Sequence, residues 1–230
     1  VTGVDGTVYS LSASGTLTTV KRRGSVDETT TTQVKGIAED ARLSMTAVGD
    51  QVVALDSTSN KLFLPGDKTL DLNAAGVEPG GVLQQAGPKD GSVLLATASS
   101  LASIPLNGAK PVITPAAEGS PSGVPAAPVR HEGCAYGAWG GSGAYLRSCK
   151  EASSNKQMVV DTLTSAREIV FRTNRKAIVL NDVAEGDVWL PDSNMVLMDN
   201  WDEVENELEE SEEEKDSPEL TNEVADPQQR

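Results

Sequence analysis

A repeat of about 42 residues runs through the first 200 positions, and few folds accommodate such a period. The segments GTVYSLSASGTLTTV, GDQVVALDSTSNKLFL, GSVLLATASSLASIPL, GCAYGAWGGSGAYLRSC and RKAIVLNDVAEGDVWL begin at Gly6, Gly49, Gly91, Gly133 and Arg175, each 42 or 43 residues after the last. Each joins two β-rich runs through a small polar turn, the pattern of a hairpin. Further β-rich runs precede the later hairpins: LSMTAV at 43–48, VLQQAG at 82–87, APVRHE at 127–132 and EIVFRT at 168–173. Others follow: TTTTQV at 29–34, TLDL at 69–72, PVIT at 111–114, QMVV at 157–160 and MVLMDNW at 195–201. Four short strands in a period of this length predict an all-β fold, a β-propeller of about five four-stranded blades. An immunoglobulin-like sandwich, the main rival, needs a superperiod of roughly 90–100 residues and gives no reason for five hairpins in one phase. GIAEDARLSM at 36–45 could make a turn of helix, but LSMTAV is better used as a strand. Residues 1–4 supply only the end of an inner strand, so the ring is expected to be incomplete at its N-terminal side, with blade sequence upstream.

Charge divides the chain at the end of the repeats. The formal net charge is −15, yet residues 201–230 hold 13 acidic and two basic residues, leaving only −4 for the first 200. A run such as ELEESEEE repels itself and has little apolar surface to bury. The domains expected are therefore blades over 1–202 and a disordered acidic linker over 203–230, a spacer to a downstream module that shortens as salt screens it. The charge also argues against a nucleic-acid partner, whose phosphates need Lys and Arg. No run approaches the length of a membrane-spanning helix, and no signal-peptide pattern opens the sequence.

Two cysteines bear on compartment. Cys134 and Cys149 are equidistant from the centre of GGSG at 140–143, so a tight hairpin sets them opposite each other. That placement suits a disulfide and hence an oxidising, extracytoplasmic compartment, two buried free thiols being the alternative. No CxxC supports a redox-active pair. The same hairpin carries Tyr136, Trp139 and Tyr145, which with Arg147 could form an exposed sugar-stacking or protein-binding patch. Packing between blades is the favoured alternative, because large aromatics usually fill cores.

Signs of catalysis are absent from the residue pattern. The single histidine, His131, stands beside Arg130 and Glu132 without the partners of a triad. Asp5, Asp50, Asp90, Asp182 and Asp187 lie at hairpin entries and tips, where turn chemistry explains them. Paired carboxylates for glycoside hydrolysis could hide among them. No calcium loop, P-loop or dinucleotide fingerprint appears, so no catalytic residue, cofactor or metal ligand is assigned.

The phrases GVDGTVYSL, VLQQAGP, APVRHEGCAYGAW, YLRSC, FRTNRKAIVLNDVAEGDVWL and MVLMDNWDEV resemble, as a set, the β-propeller-like region of large actinobacterial surface proteins carrying tandem immunoglobulin-like or fibronectin type III modules. The resemblance covers residues 1–204 and runs into the acidic linker. Its most specific parts are the cysteine hairpin and the segment from Asn181 to Trp189. It implies a membrane-anchored, outward-facing multidomain protein whose anchor lies upstream, and it supplies no catalytic residue. The function expected is a non-catalytic surface scaffold presenting loops to an envelope protein or glycan. The alternative is a polysaccharide-acting hydrolase using turn carboxylates in a central channel.

Overall fold

The structure is a computed structural model that describes residues 1–119, 122–174 and 177–198. The chain divides into two units, Val1–Leu197 and Met198–Arg230. The expected linker at 203–230 lies outside the described residues, as do Arg175 and Lys176 at the start of the last hairpin.

Among the described residues the protein is all-β, in five small antiparallel sheets that follow one another along the chain, none closed on itself. The first holds β1 (Val8–Leu11), β2 (Thr16–Arg23) and β3 (Val26–Gln33), with a bridge from Thr2 to Val8. The second runs β4 (Leu43–Val48), β5 (Gln51–Asp56), β6 (Lys61–Leu64) and β7 (Lys68–Asp71). The third holds β8 (Val82–Leu83), β9 (Ser92–Ala96), β10 (Ser100–Pro105) and β11 (Val112–Pro115). In the fourth, β12 (Val124–Pro125) and β13 (Val129–His131) both pair with β14 (Cys134–Gly140), followed by β15 (Ala144–Cys149) and β16 (Lys156–Val159). The fifth contains β17 (Ile169–Asn174), β18 (Ala177–Asp182), β19 (Val188–Leu190) and β20 (Val196–Met198).

All five expected hairpins form, as β1–β2, β5–β6, β9–β10, β14–β15 and β18–β19. Residues 36–42 form turns and irregular chain rather than a helical turn, and LSMTAV is β4. The run expected at 82–87 narrows to Val82–Leu83 for a local reason. The Gln84 side chain takes over as acceptor for the Leu94 N–H at 2.8 Å, replacing the backbone carbonyl a longer strand would offer. Five separate sheets also exclude the two face-packed layers of a sandwich.

The core lies between consecutive sheets from the second onward, and strand alternation supplies it. In β9, Val93 and Leu95 join one buried cluster with Leu55 and Leu62 of the second sheet, while Leu94 and Ala96 join another with Trp139 and Leu146 of the fourth. Successive side chains point to opposite faces, so a sheet with neighbours on both sides reads as a continuous apolar run. A third cluster joins the fourth and fifth sheets through Tyr136, Tyr145, Phe171 and Trp189.

The disulfide forms as the hairpin symmetry requires. Cys134 pairs directly with Cys149 in the β14–β15 ladder, their Cα atoms 4.0 Å apart. Gly143 closes the turn with φ +72°, and a Cβ there would meet the Val160 carbonyl at 2.6 Å.

Turn aspartates supply a pH-dependent part of the stability. Asp56 at the β5–β6 turn is buried, and its carboxylate accepts from the Thr58 N–H at 2.9 Å and from the Ser59 hydroxyl. Burial pushes its pKa up, but the hydrogen bonds from Ser59 and Thr58 outweigh it, and the net shift is downward. A folded-state pKa below the unfolded value contributes stability that is present above the ordinary carboxylate range and lost as pH falls through the folded pKa. Urea midpoints of the parent should therefore fall on acidification below about pH 4 more steeply than those of Asp56→Asn. Parallel acid profiles for the two proteins would show that Asp56 contributes nothing to the acid transition.

Candidate functional site

The first strands of the later sheets converge. Gly49 N–H donates to the Gly87 carbonyl at 2.9 Å and Gly87 N–H to that of Ala47 at 3.0 Å, joining the second and third sheets through a parallel bridge at Val48. Gln85 N–H then donates to Pro128 O at 2.9 Å, and its side-chain Nε2 to Phe171 O at 2.8 Å. One residue thus ties the third sheet to the segment leading into β13 and to β17, 86 positions along the chain.

These strand ends surround a cavity of about 290 Å3 lined by Val4, Gln85, Arg130, His131, Glu132 and Thr173, among others. Its volume is on the order of ten water molecules. Arg130 is largely buried, donates to Ser92 Oγ at 2.6 Å and faces Asp90 Oδ1 at 3.4 Å. Burial lowers the guanidinium pKa and the Asp90 charge opposes the shift. Two buried nitrogens in this wall, His131 Nε2 and Arg130 Nε, have no hydrogen-bond partner among the described residues. Such atoms cost free energy, commonly about 1–3 kcal/mol each, and Thr46 Oγ1 and Asn181 Oδ1 are in the same state away from this wall. Glu132 and Thr173 are exposed at the same cavity.

The turn carboxylates are engaged elsewhere. Asp5 accepts from Thr7 N–H and Oγ1, Asp90 from Ser92 N–H and Oγ, and Asp182 from the N–H groups of Arg167 and Ala184. Each does the work of a turn residue. Four cavities among the described residues are each lined by a single carboxylate: Asp67, Glu132, Asp90 and Asp71.

The aromatic group of the fourth hairpin is not a surface patch. Trp139 and Tyr145 are 0% exposed and Tyr136 is 2% exposed, which corrects the patch reading in favour of packing. The physical reason is that the fourth sheet is covered on both faces. β14 alternation sends Trp139 into the cluster shared with the third sheet and Tyr136 into that shared with the fifth, where Tyr145 joins it. Their polar ends are held as well. Trp139 Nε1 donates to Thr97 O at 2.7 Å, Tyr145 OH to Pro191 O at 3.1 Å and Tyr136 OH to Asp192 Oδ1 at 2.8 Å. Burial and the neighbouring Asp192 raise the Tyr136 pKa further. Arg147 is half-buried, donating from Nε to Ser154 O at 2.9 Å and lying 3.6 Å from Asp192 Oδ1.

Sequence reasoning placed His131 at the end of an inner strand but passed over Gln85 and Thr173. The available signal was the pair Gln84–Gln85, polar residues inside a run that otherwise reads as a buried strand.

No family model matches the chain, and no curated protein matches it. Among solved structures, the crystal structure of AztD from Citrobacter koseri is similar at 12% identity, covering 82% of this chain and 70% of that one with a TM-score of 0.40. The assignment of the site therefore rests on its geometry. The disulfide fits an oxidising compartment, and no helix among the described residues is long and apolar enough to cross a membrane.

Proposed function

We propose that this chain is a propeller-type recognition module of an extracytoplasmic, cell-surface multidomain protein, binding a protein or glycan partner at its axial cavity without catalysis. The observation that carries the reading is the polar cavity at the convergence of the first strands, with Glu132 and Thr173 exposed in its lining. A rigid frame of buried clusters holding exposed Glu132 and Thr173 at one opening suits recognition, since such residues can be read by a partner without refolding. The repeat of four-stranded units supports the propeller, the disulfide supports the compartment, and the resemblance to actinobacterial surface proteins supports the anchored setting.

The test is capture of envelope proteins and glycans on the immobilised chain, compared with the same chain carrying Glu132→Gln and Thr173→Val. Both sites are exposed, so folding should be unchanged. Retention of the bound species should fall about tenfold, as expected for loss of hydrogen bonds to a charged group and a hydroxyl. Undiminished capture by the variant would exclude the axial cavity as the recognition site.

A further inference from the structure

The first and second sheets do not meet as the others do. Among the described residues, none of the three buried clusters includes a side chain of the first sheet. The two faces of β5 make the contrast plain. Val53 and Leu55 point into the cluster shared with the third sheet, whereas Val52 and Ala54 line a cavity of about 280 Å3 on the side of the first sheet. Leu11, Leu17, Met45 and Phe63 complete its apolar wall. Leu11, Leu17, Met45 and Val52 are only half-buried, so a ligand-sized space with an apolar wall lies between these two sheets, where no buried cluster joins them.

Charged residues also line this space. Lys35 and Lys68 are exposed, line the cavity and form no ion pair among the described residues. Asp67 is also in the lining, which leaves one positive charge in excess. An apolar chamber with exposed ammonium groups in its lining is complementary to a molecule with a slender apolar body and an anionic end. The volume, roughly nine water molecules, admits a single medium-length chain and not a peptide strand with its side chains.

We propose that the cleft between the first two sheets is a second binding site, for a free single-chain amphiphile with a carboxylate head. The apolar chain lies against Leu17, Val52, Ala54 and Phe63, and the carboxylate faces Lys35 and Lys68. This site is separate from the axial cavity and stands or falls independently of it.

Titration of the chain with sodium decanoate, followed by calorimetry and by amide chemical shifts, tests the assignment. One saturable site is expected, with shifts centred on Leu17, Val52 and Phe63. Affinity should rise about fourfold per methylene from butyrate upward, as burial of each group requires. Replacing Lys35 and Lys68 together by alanine should weaken decanoate roughly tenfold, the effect of two exposed charge pairs, and leave decanol binding unchanged. Val52→Phe, at a half-exposed wall position, should abolish binding of both while the urea midpoint stays near that of the parent. Absence of saturable binding, an affinity independent of chain length, an equal effect of the lysine changes on acid and alcohol, or retention of binding by a folded Val52→Phe protein would each overturn the proposal.

Discussion

Replacing Cys134 and Cys149 together by alanine should lower the stability of the domain by about 3 kcal/mol, the loop-closure value for a cross-link of this span. The bond joins residues 15 positions apart across one hairpin. For a domain of this size that corresponds to a fall in melting temperature of roughly 6–12 °C. The loss should not remain local. β14 and β15 contribute to the clusters on both faces of the fourth sheet, so loosening their pairing weakens two core interfaces at once. Reduction of the parent protein should reproduce the shift of the double variant, which separates the cross-link from the change of side chain. Calorimetric melting within about 2 °C of the parent would show that the bond constrains little beyond what the hairpin already holds.

Trp139→Ala should cost more, about 3–5 kcal/mol in urea unfolding, the range for truncation of a buried aromatic side chain. The indole is 0% exposed and packs with Leu94, Ala96 and Leu101 of the third sheet. Gly137 permits that position, because a Cβ there would meet the ring at 2.8 Å. The substitution also leaves the Thr97 carbonyl without its 2.7 Å hydrogen bond. Since natural domains are stable by only about 5–15 kcal/mol, the alanine protein could be largely unfolded, and Trp139→Phe provides the graded comparison. It keeps most of the ring volume and should lose about 1–3 kcal/mol, chiefly through the orphaned carbonyl. Stability equal to the parent in both variants would contradict a core role for the indole and reopen a surface one.

Much of the β architecture was legible because each sheet is made from one stretch of chain. The partners of β5, for example, are β4 and β6, both within the same repeat. Alternation and turn residues therefore act at short range, where sequence patterns are reliable. Even the register could be read: the symmetry of Cys134 and Cys149 about Gly140–Gly143 demanded the pairing that the ladder shows. Strand ends were less legible, since β8 stops where the Gln84 side chain substitutes for backbone.

The candidate sites were much less visible. Gln85 matters because its amide reaches Phe171, a contact across 86 positions that no local pattern encodes. Tyr136, Trp139 and Tyr145 share one hairpin, yet two neighbouring sheets decide that all three are buried. Likewise, Val52 and Val53 are adjacent, similar residues, one at a cavity and the other in a core. The sequence alone determined the repeat, the hairpins and the cross-link, because those depend on interactions within a repeat. Only the tertiary structure decided which faces are filled and which are open, because that depends on what a neighbouring sheet brings against each face.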